Sequence, residues 1–329
     1  MNVAVAERAF PTGRTVFVVG PTGVGKTEAS LWLAKRIDAE IVSADSMLVY
    51  RGMDIGTAKP TPEERAAVKH HLIDVLEPTE SFSVGKYRQL AKNVIAQIHG
   101  RGKIALVCGG TGLYVRAMVD GLFEGPAADW QLRKELQAEA ERSGRESLHA
   151  KLMEVDPETA EKLSPKDVRR VIRSLEVHSR AHRPISELQS QWKQRRHGPT
   201  MFGLTMNRSL LYQRIEERVD RMFERGLVEE TKRLLERGLR TNRTAMQAIG
   251  YKEVTGYLDG AYSLEEAKKL LKRNSRRYAK RQLTWFRKDD RIEWYNSDDY
   301  ATRQELYESL LEGLHGMTET VRGESQHPQ

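Results

Sequence analysis

Thr15 to Thr27 reads TVFVVGPTGVGKT and joins a β-branched apolar run to a glycine-rich turn. The run Thr15–Val19 has the composition of a short buried strand, and the periodic stretch Lys26 to Ile37 predicts a helix. Between them Gly20-Pro21-Thr22-Gly23-Val24-Gly25-Lys26-Thr27 fits the pattern G-x-x-x-x-G-K-S/T in the strand-loop-helix context that gives it meaning. The glycines let successive backbone N–H groups turn inward around phosphate oxygens. Lys26 adds a point charge, Thr27 offers a hydroxyl to Mg2+, and the helix presents its positive end. A tight glycine turn ahead of a helix accounts for the glycines but leaves the Lys-Thr pair unexplained. The loop indicates a bound di- or triphosphate without saying what is done to it.

Further apolar runs lie at Ile41–Ala44, His70–Val75, Ile104–Cys108, Met201–Met206 and Arg291–Tyr295, with a helix from Ser83 to His99 opening on a serine cap. Strands alternating with helices predict an α/β fold, a phosphate-loop parallel sheet flanked by helices with right-handed crossovers. Ala128 to Arg196 is helical in pattern, broken at Ser143-Gly144, Asp156-Pro157, Ser164-Pro165 and Arg183-Pro184. The expected organisation is therefore a core over 1–125, a helical insertion over 126–199, and a core continuation over 200–317. That last part carries long helices at Leu210–Glu224, Leu227–Glu236 and Leu264–Arg287, and a polar tail over 318–329 is expected to be disordered.

The 329 residues carry 54 Lys plus Arg against 46 Asp plus Glu, a net +8. Their distribution says more than the total. Lys268–Lys288 holds ten basic and no acidic residues, Glu161–Thr200 ten basic and four acidic, and Asp289–Gln329 three basic and ten acidic. Two concentrated basic segments point to a polyanion touched at two places, although a charge run taken alone can equally be a solvated helix face. No run is long and apolar enough to span a membrane, and MNVAVAERAF has no secretory pattern. A single cysteine excludes an internal disulfide and a Cys-based zinc finger, which fits a reducing compartment, the cytoplasm.

Asp45 follows the second strand, at the sheet end where the phosphate loop also lies, and can act there as general base or merely cap the Ser43–Ser46 turn. A nucleotide hydrolase needs an Asp after an apolar strand to hold its metal; Ile104–Cys108 ends in Gly109-Gly110, while Leu72-Ile73-Asp74 offers an alternative. A kinase, an RNA-binding NTPase and an enzyme with a diphosphate leaving group all remain open on these residues alone.

The ordered series GPTGVGKT (Gly20–Thr27), DSMLVY (Asp45–Tyr50), GMDIGTAKP (Gly52–Pro60), HHLID (His70–Asp74), GGTGLY (Gly109–Tyr114), QAIGYK (Gln247–Lys252) and KRQLTWFR (Lys280–Arg287) resembles the bacterial tRNA dimethylallyltransferases. The likeness runs from Thr15 to Tyr295. It implies transfer of a five-carbon prenyl group from dimethylallyl diphosphate to N6 of adenosine 37, with tRNA bound through its anticodon stem-loop by a monomer. By the same resemblance the phosphate loop holds the diphosphate with Mg2+ on Thr27, Asp45 is the base, and Thr22 lines the reaction channel. Arg218 stands near the departing diphosphate, with Arg214 as the competing assignment. The implied tRNA contacts fall on Asp45, Ser46, Met47 and Leu48, on Thr111 and Arg133, and on Arg169, Arg170, Val171, Ile172 and Arg173. They continue on Gln247, Ala248, Ile249, Gly250, Tyr251 and Lys252, and on Lys280, Arg281, Gln282, Leu283, Thr284, Trp285, Phe286 and Arg287. Leu48 and Arg169 each stand where the family usually has Gln. The insertion and the Lys268–Lys288 helix are expected to grip the RNA. Tyr278 and Trp285 recur with Leu271 at helical spacing and are expected to pack in the core. His70, His71 and Cys108 are assigned structural roles.

Overall fold

The computed structural model of the chain describes residues 14–122, 125–190 and 199–324. Six strands, β1 (Thr15–Val19), β2 (Ala39–Ser43), β3 (His70–His71), β4 (Ile104–Gly109), β5 (Thr200–Thr205) and β6 (Ile292–Asn296), form one sheet in the order β3-β2-β4-β1-β5-β6. Every pairing is parallel. β1 is buried along its whole length between β4 and β5, with Val19 opposite both Gly109 and Gly203. The phosphate loop therefore leaves from the middle of the sheet, on the side where β2 and β4 also end.

The first part of the core adds helices α1 (Lys26–Arg36), α2 (Pro62–Ala67), α3 (Val84–Gly100) and α4 (Gly112–Val119). Ser83 caps α3 by accepting from the Lys86 N–H, as its sequence predicts, and Thr61 with Glu64 forms a capping box on α2. The sheet is covered on both faces, so its strands read as continuous apolar runs. Val16 and Val18 pack on one face with Leu33, Phe202 and Leu310; Phe17 and Val19 pack on the other with Tyr87, Ile95 and Met118.

The chain leaves this core after α4, and the second compact unit is Asp120–Arg195, beginning six residues before the expected 126. Its described helices are α5 (Trp130–Ser143), α6 (Arg145–Val155), α7 (Pro157–Lys162), α8 (Val168–Ala181) and α9 (Ile185–Ser190), around Leu148, Leu152, Ala160, Val171 and Ile172. The end of the expected helical pattern, residues 191–196, lies outside the described residues. Buried Asp156 caps α7 through Thr159 N–H and accepts from Ser186 N–H, tying α9 to the α6–α7 corner.

After β5 come α10 (Arg208–Glu224), α11 (Leu227–Glu236), α12 (Tyr251–Leu258), α13 (Leu264–Phe286) and α14 (Arg303–Glu324). Two expectations need correction. The run His70–Val75 is a strand for two residues only, because Leu72 (φ 60°) and Asp74 (φ 55°) turn into the left-handed region. The tail expected to be disordered from Thr318 instead continues α14 to Glu324, while 325–329 lie outside the described residues. α14 is anchored by Leu306, Tyr307, Leu310 and Leu314 against the α1 face of the sheet, and no proline follows until Pro328.

Candidate active site

Close packing dictates the glycines of the loop. Gly20 sits at φ 144°, and a Cβ there would lie 2.5 Å from the Leu204 carbonyl oxygen; at Gly23 it would meet Ile215 at 2.9 Å. The amides from Gly23 to Thr27 precede or open α1, where a helix supplies no acceptor of its own. Thr22 N–H is different: it donates to Gln282 Oε1 at 2.8 Å. Lys26 Nζ bends back to donate to the Pro21 carbonyl at 2.8 Å. Burial pushes the Lys26 ammonium down to about 8, with Cys108 and the Asp45 carboxylate opposing the shift and Arg218 adding to it.

Asp45 is fixed by the seam between β2 and β4. Ala44 N–H donates to the Cys108 carbonyl at 2.8 Å, Thr111 N–H donates to the Ala44 carbonyl at 3.1 Å, and a Cβ on Gly109 would lie 2.2 Å from that oxygen. Asp45 Oδ1 accepts from Met47 N–H at 2.8 Å, so the turn-capping reading accounts for one carboxylate oxygen. Ser46 N–H donates to Thr111 Oγ1 at 3.1 Å. The carboxylate borders a cavity of about 230 Å3 to which Thr22, Ser46, Met47, Thr57, Arg218, Gln247, Ala248, Ile249, Tyr278 and Arg281 also contribute. Residues from six separated stretches of sequence thus meet at one place. Ile215, Val219, Met222 and Leu271 give the cavity an apolar side.

Arg214 and Arg218 share one face of α10 but go to different ends of the loop. Arg218 Nη1 donates to Thr22 Oγ1 and Nη2 to the Thr57 carbonyl, both at 3.3 Å, inside the cavity. Arg214 lies toward Gly25 and lines a separate recess with Glu28 and Tyr307. Thr57 belongs to the GMDIGTAKP loop, whose shape depends on a residue that sequence reasoning missed. Glu230 on α11, 3% exposed, accepts from the N–H groups of Asp54 (3.2 Å), Ile55 (2.9 Å) and Gly56 (3.1 Å) and from the Tyr251 hydroxyl (2.6 Å). At Gly56 a Cβ would meet the Tyr251 ring at 2.6 Å. The LVEET stretch around Glu230 gives no local signal of this role.

Several residues carried over as RNA contacts present little side-chain surface to solvent. Val171, Ile172, Ala248, Tyr251, Gln282 and Phe286 are all buried, and Gly250 is enclosed with them. Gln247, Lys252, Lys280, Arg281, Thr284 and Arg287 are exposed, and Leu283 is half-buried in the α1-side core. Leu48 is half-buried and holds the Asp74 N–H on its carbonyl. The core-packing expectation fails for two aromatics. Tyr278 lines the cavity, and Trp285, 39% exposed, lies over Gly112.

The basic run separates into two groups along α13. Lys268, Lys272 and Arg276 are paired with Glu265, Asp220 and Glu216. Lys269, Arg273, Arg277, Lys280, Arg281, Arg287 and Lys288 are exposed along the other side. In the second unit Arg133 makes a bidentate pair with fully buried Glu176 at 2.8 Å, and Arg173 bonds the same carboxylate. Those two arginines organise the unit, whereas Arg169 and Arg170 are exposed.

Among the described residues no three His, Cys, Asp or Glu side chains converge on a metal position. A divalent ion at the loop would rest on the Thr27 hydroxyl and on the substrate's own phosphate oxygens, a mode that suits Mg2+. Asp74 does not compete for that ion, being bonded to Lys59 at 2.6 Å and Arg65 at 2.7 Å. His71 pairs with Glu40 at 2.6 Å and His70 with the Val68 carbonyl, both at the β3 edge away from the cavity.

With Asp74 committed elsewhere and a carboxylate facing the phosphate loop across a partly apolar cavity, fold and site are those of a phosphate-loop enzyme that transfers a group. Within that class the chain belongs to the IPP transferase family, whose sequence pattern matches residues 48–289. It is 47% identical over 296 residues to a tRNA dimethylallyltransferase of Acetivibrio thermocellus, covering 89% of this chain and 95% of the relative. To that of Desulforamulus reducens it is 50% identical over 281 residues, covering 84% and 98%. The full-length tRNA isopentenylpyrophosphate transferase of Bacillus halodurans superposes with a TM-score of 0.69 at 45% identity, covering 94% of this chain and 99% of that one. A eukaryotic dimethylallyltransferase solved acting on tRNA gives 0.70 at 30% identity, covering 86% and 74%.

Proposed function

We propose that this enzyme transfers the dimethylallyl group of dimethylallyl diphosphate to N6 of adenosine 37 in tRNA and releases diphosphate. The observation that carries the reading is the single cavity bordered by Asp45, by Thr22 of the phosphate loop and by Arg218 bonded to that loop. An exocyclic adenine amine is a weak nucleophile because its lone pair is delocalised into the ring. As N6 bonds to the allylic carbon, the carbon–oxygen bond to the diphosphate breaks and the electron pair leaves with the oxygen. Asp45 takes the N6 proton, a contribution worth about 10² to 10⁴ in rate. Lys26, Arg218 and the loop amides face the charge that develops on the leaving group. A divalent ion bound at Thr27 would add to that charge stabilisation.

The target base must leave the anticodon-loop stack to reach the cavity, at a cost of a few kcal/mol. The exposed basic side of α13 offers phosphate contacts that offset it, and Arg169 and Arg170 offer others on the second unit. The enzyme works as a monomer in the cytoplasm with Mg2+, on the anticodon stem-loop. No described helix is long and apolar enough to cross a membrane. The test is incubation with unmodified tRNA, Mg2+ and either dimethylallyl diphosphate or ATP, followed by mass spectrometry of the nucleosides. Prenylated adenosine at position 37 is expected; ATP turnover without it overturns the reading.

A further inference from the structure

Gln282 falls near the C-terminal end of the basic helix, between exposed Arg281 and half-buried Leu283, yet it is only 5% exposed. Its amide is committed on both sides. Oε1 accepts from Thr22 N–H at 2.8 Å, and Nε2 donates to the Gly110 carbonyl at 2.8 Å. The fit is tight, since a Cβ on Gly110 would lie 2.1 Å from Nε2. One N–H and one carbonyl, presented together, require a side chain with one acceptor and one donor, and that requirement also fixes which way the amide points. Neither a carboxylate nor an apolar chain of the same length meets it. The second hydrogen bond at Thr22 comes from Arg218 to the hydroxyl, so Thr22 is held through its backbone by α13 and through its side chain by α10.

We infer that Gln282 is a positioning residue of the donor site. It touches neither substrate; it fixes the turn at Thr22 so that the amides from Gly23 onward and Lys26 are aimed at the diphosphate, and it joins that loop to the Gly109-Gly110 end of β4. The residue's place in a basic helix is then no sign of RNA contact. The inference rests on the transferase reading for its meaning, but not for its measurement, because diphosphate binding can be read without turnover.

The experiment compares Gln282→Met and Gln282→Glu with the wild-type full chain by calorimetric titration of inorganic diphosphate with Mg2+ between pH 5.5 and 8.5. Binding of an unmodified anticodon stem-loop RNA is followed in parallel by fluorescence anisotropy. Gln282→Met loses both hydrogen bonds and is expected to raise the diphosphate Kd by about ten- to a hundredfold, with the RNA Kd within about threefold of wild type. In Gln282→Glu the ionised carboxylate accepts from Thr22 but faces the Gly110 oxygen without a proton. When protonated it supplies both donor and acceptor. The ratio of variant to wild-type Kd is therefore expected to fall toward one as pH is lowered, a change read within one folded protein. Lys26, Asp45, Arg218 and Tyr278 face the loop in both proteins and a new carboxylate shifts their titration, so the ratio is read beside that of Gln282→Met, which adds no charge and is expected to stay raised and constant with pH. A raised RNA Kd with unchanged diphosphate binding overturns the inference, as does a Gln282→Glu ratio that stays constant with pH. If instead diphosphate binding behaves as expected but wild type forms no prenyladenosine, the transferase reading fails and the positioning role stands.

Discussion

Lys26→Met should make the enzyme more stable while removing its grip on diphosphate. Lys26 is enclosed by the phosphate loop, and burial lowers its pKa from 10.5 to about 8. That shift corresponds to about 3 kcal/mol favouring the neutral amine in the folded protein. Its hydrogen bond to the Pro21 carbonyl returns about 1 kcal/mol, leaving a net gain of about 2 kcal/mol for the methionine variant at pH 7. The sign with pH follows from linkage. Between about pH 8 and 10.5 the unfolded chain holds the lysine proton and the folded protein does not, so wild-type stability rises with pH across that window and is unaffected below it. Urea unfolding of both proteins without ligand, from pH 7 to 10.5, reads the difference. The gap of about 2 kcal/mol at pH 7 should close and then reverse, by about 1 kcal/mol at pH 10.5, and diphosphate should stabilise only the wild type. A variant less stable than wild type at pH 7, or a gap independent of pH, refutes the argument that burial of Lys26 is the dominant cost.

Asp45→Ala should lower kcat by at least about a hundredfold with tRNA affinity nearly unchanged, measured by single-turnover kinetics and filter binding; equal activity removes Asp45 from the mechanism. Charge reversal of Arg281 and Arg287 should weaken tRNA binding and reduce the slope of log affinity against log salt by about two, and an unchanged slope would return α13 to the status of a solvated face. Glu230→Gln sets an amide N–H against the donors that now converge on the carboxylate, so a loss of about 2–3 kcal/mol in urea unfolding is expected, together with lower kcat/KM. A midpoint unchanged from wild type would show that the GMDIGTAKP loop does not depend on Glu230.

The strand, loop and helix at Thr15–Arg36 were readable because each signal is local: a β-branched run, a glycine pattern, a helical period. The helices that meet at Gly144 and at Asp156-Pro157 were readable for the same reason, those turn signals bounding them. What escaped depends on residues far apart in the chain. Glu230 lies 175 residues from Ile55, and nothing near either predicts their meeting. Motif segments also alternate in and out on a helical scale. Within QAIGYK, Gln247 and Lys252 face solvent while Ala248 and Tyr251 are buried, so a matched string names a region without saying which of its members touch a partner. Tyr278 and Trp285 show the opposite error, because helical spacing places residues on a face without telling what that face borders. The last helix was hidden by its acidic composition, though Leu306, Leu310 and Leu314 carry an apolar stripe at four-residue intervals.

The bond between Thr22 and Gln282 joins residues 260 positions apart. During synthesis at roughly 5–20 residues per second, the phosphate loop is made about 13 to 52 s before the residue that holds it. The neighbouring strand β5 is likewise about 185 residues behind β1. A ribosome-bound chain therefore carries the glycine-rich loop long before it carries the side chain that fixes its turn. Closure of the Thr22 turn by Gln282 has to wait until α13 has been translated and docked.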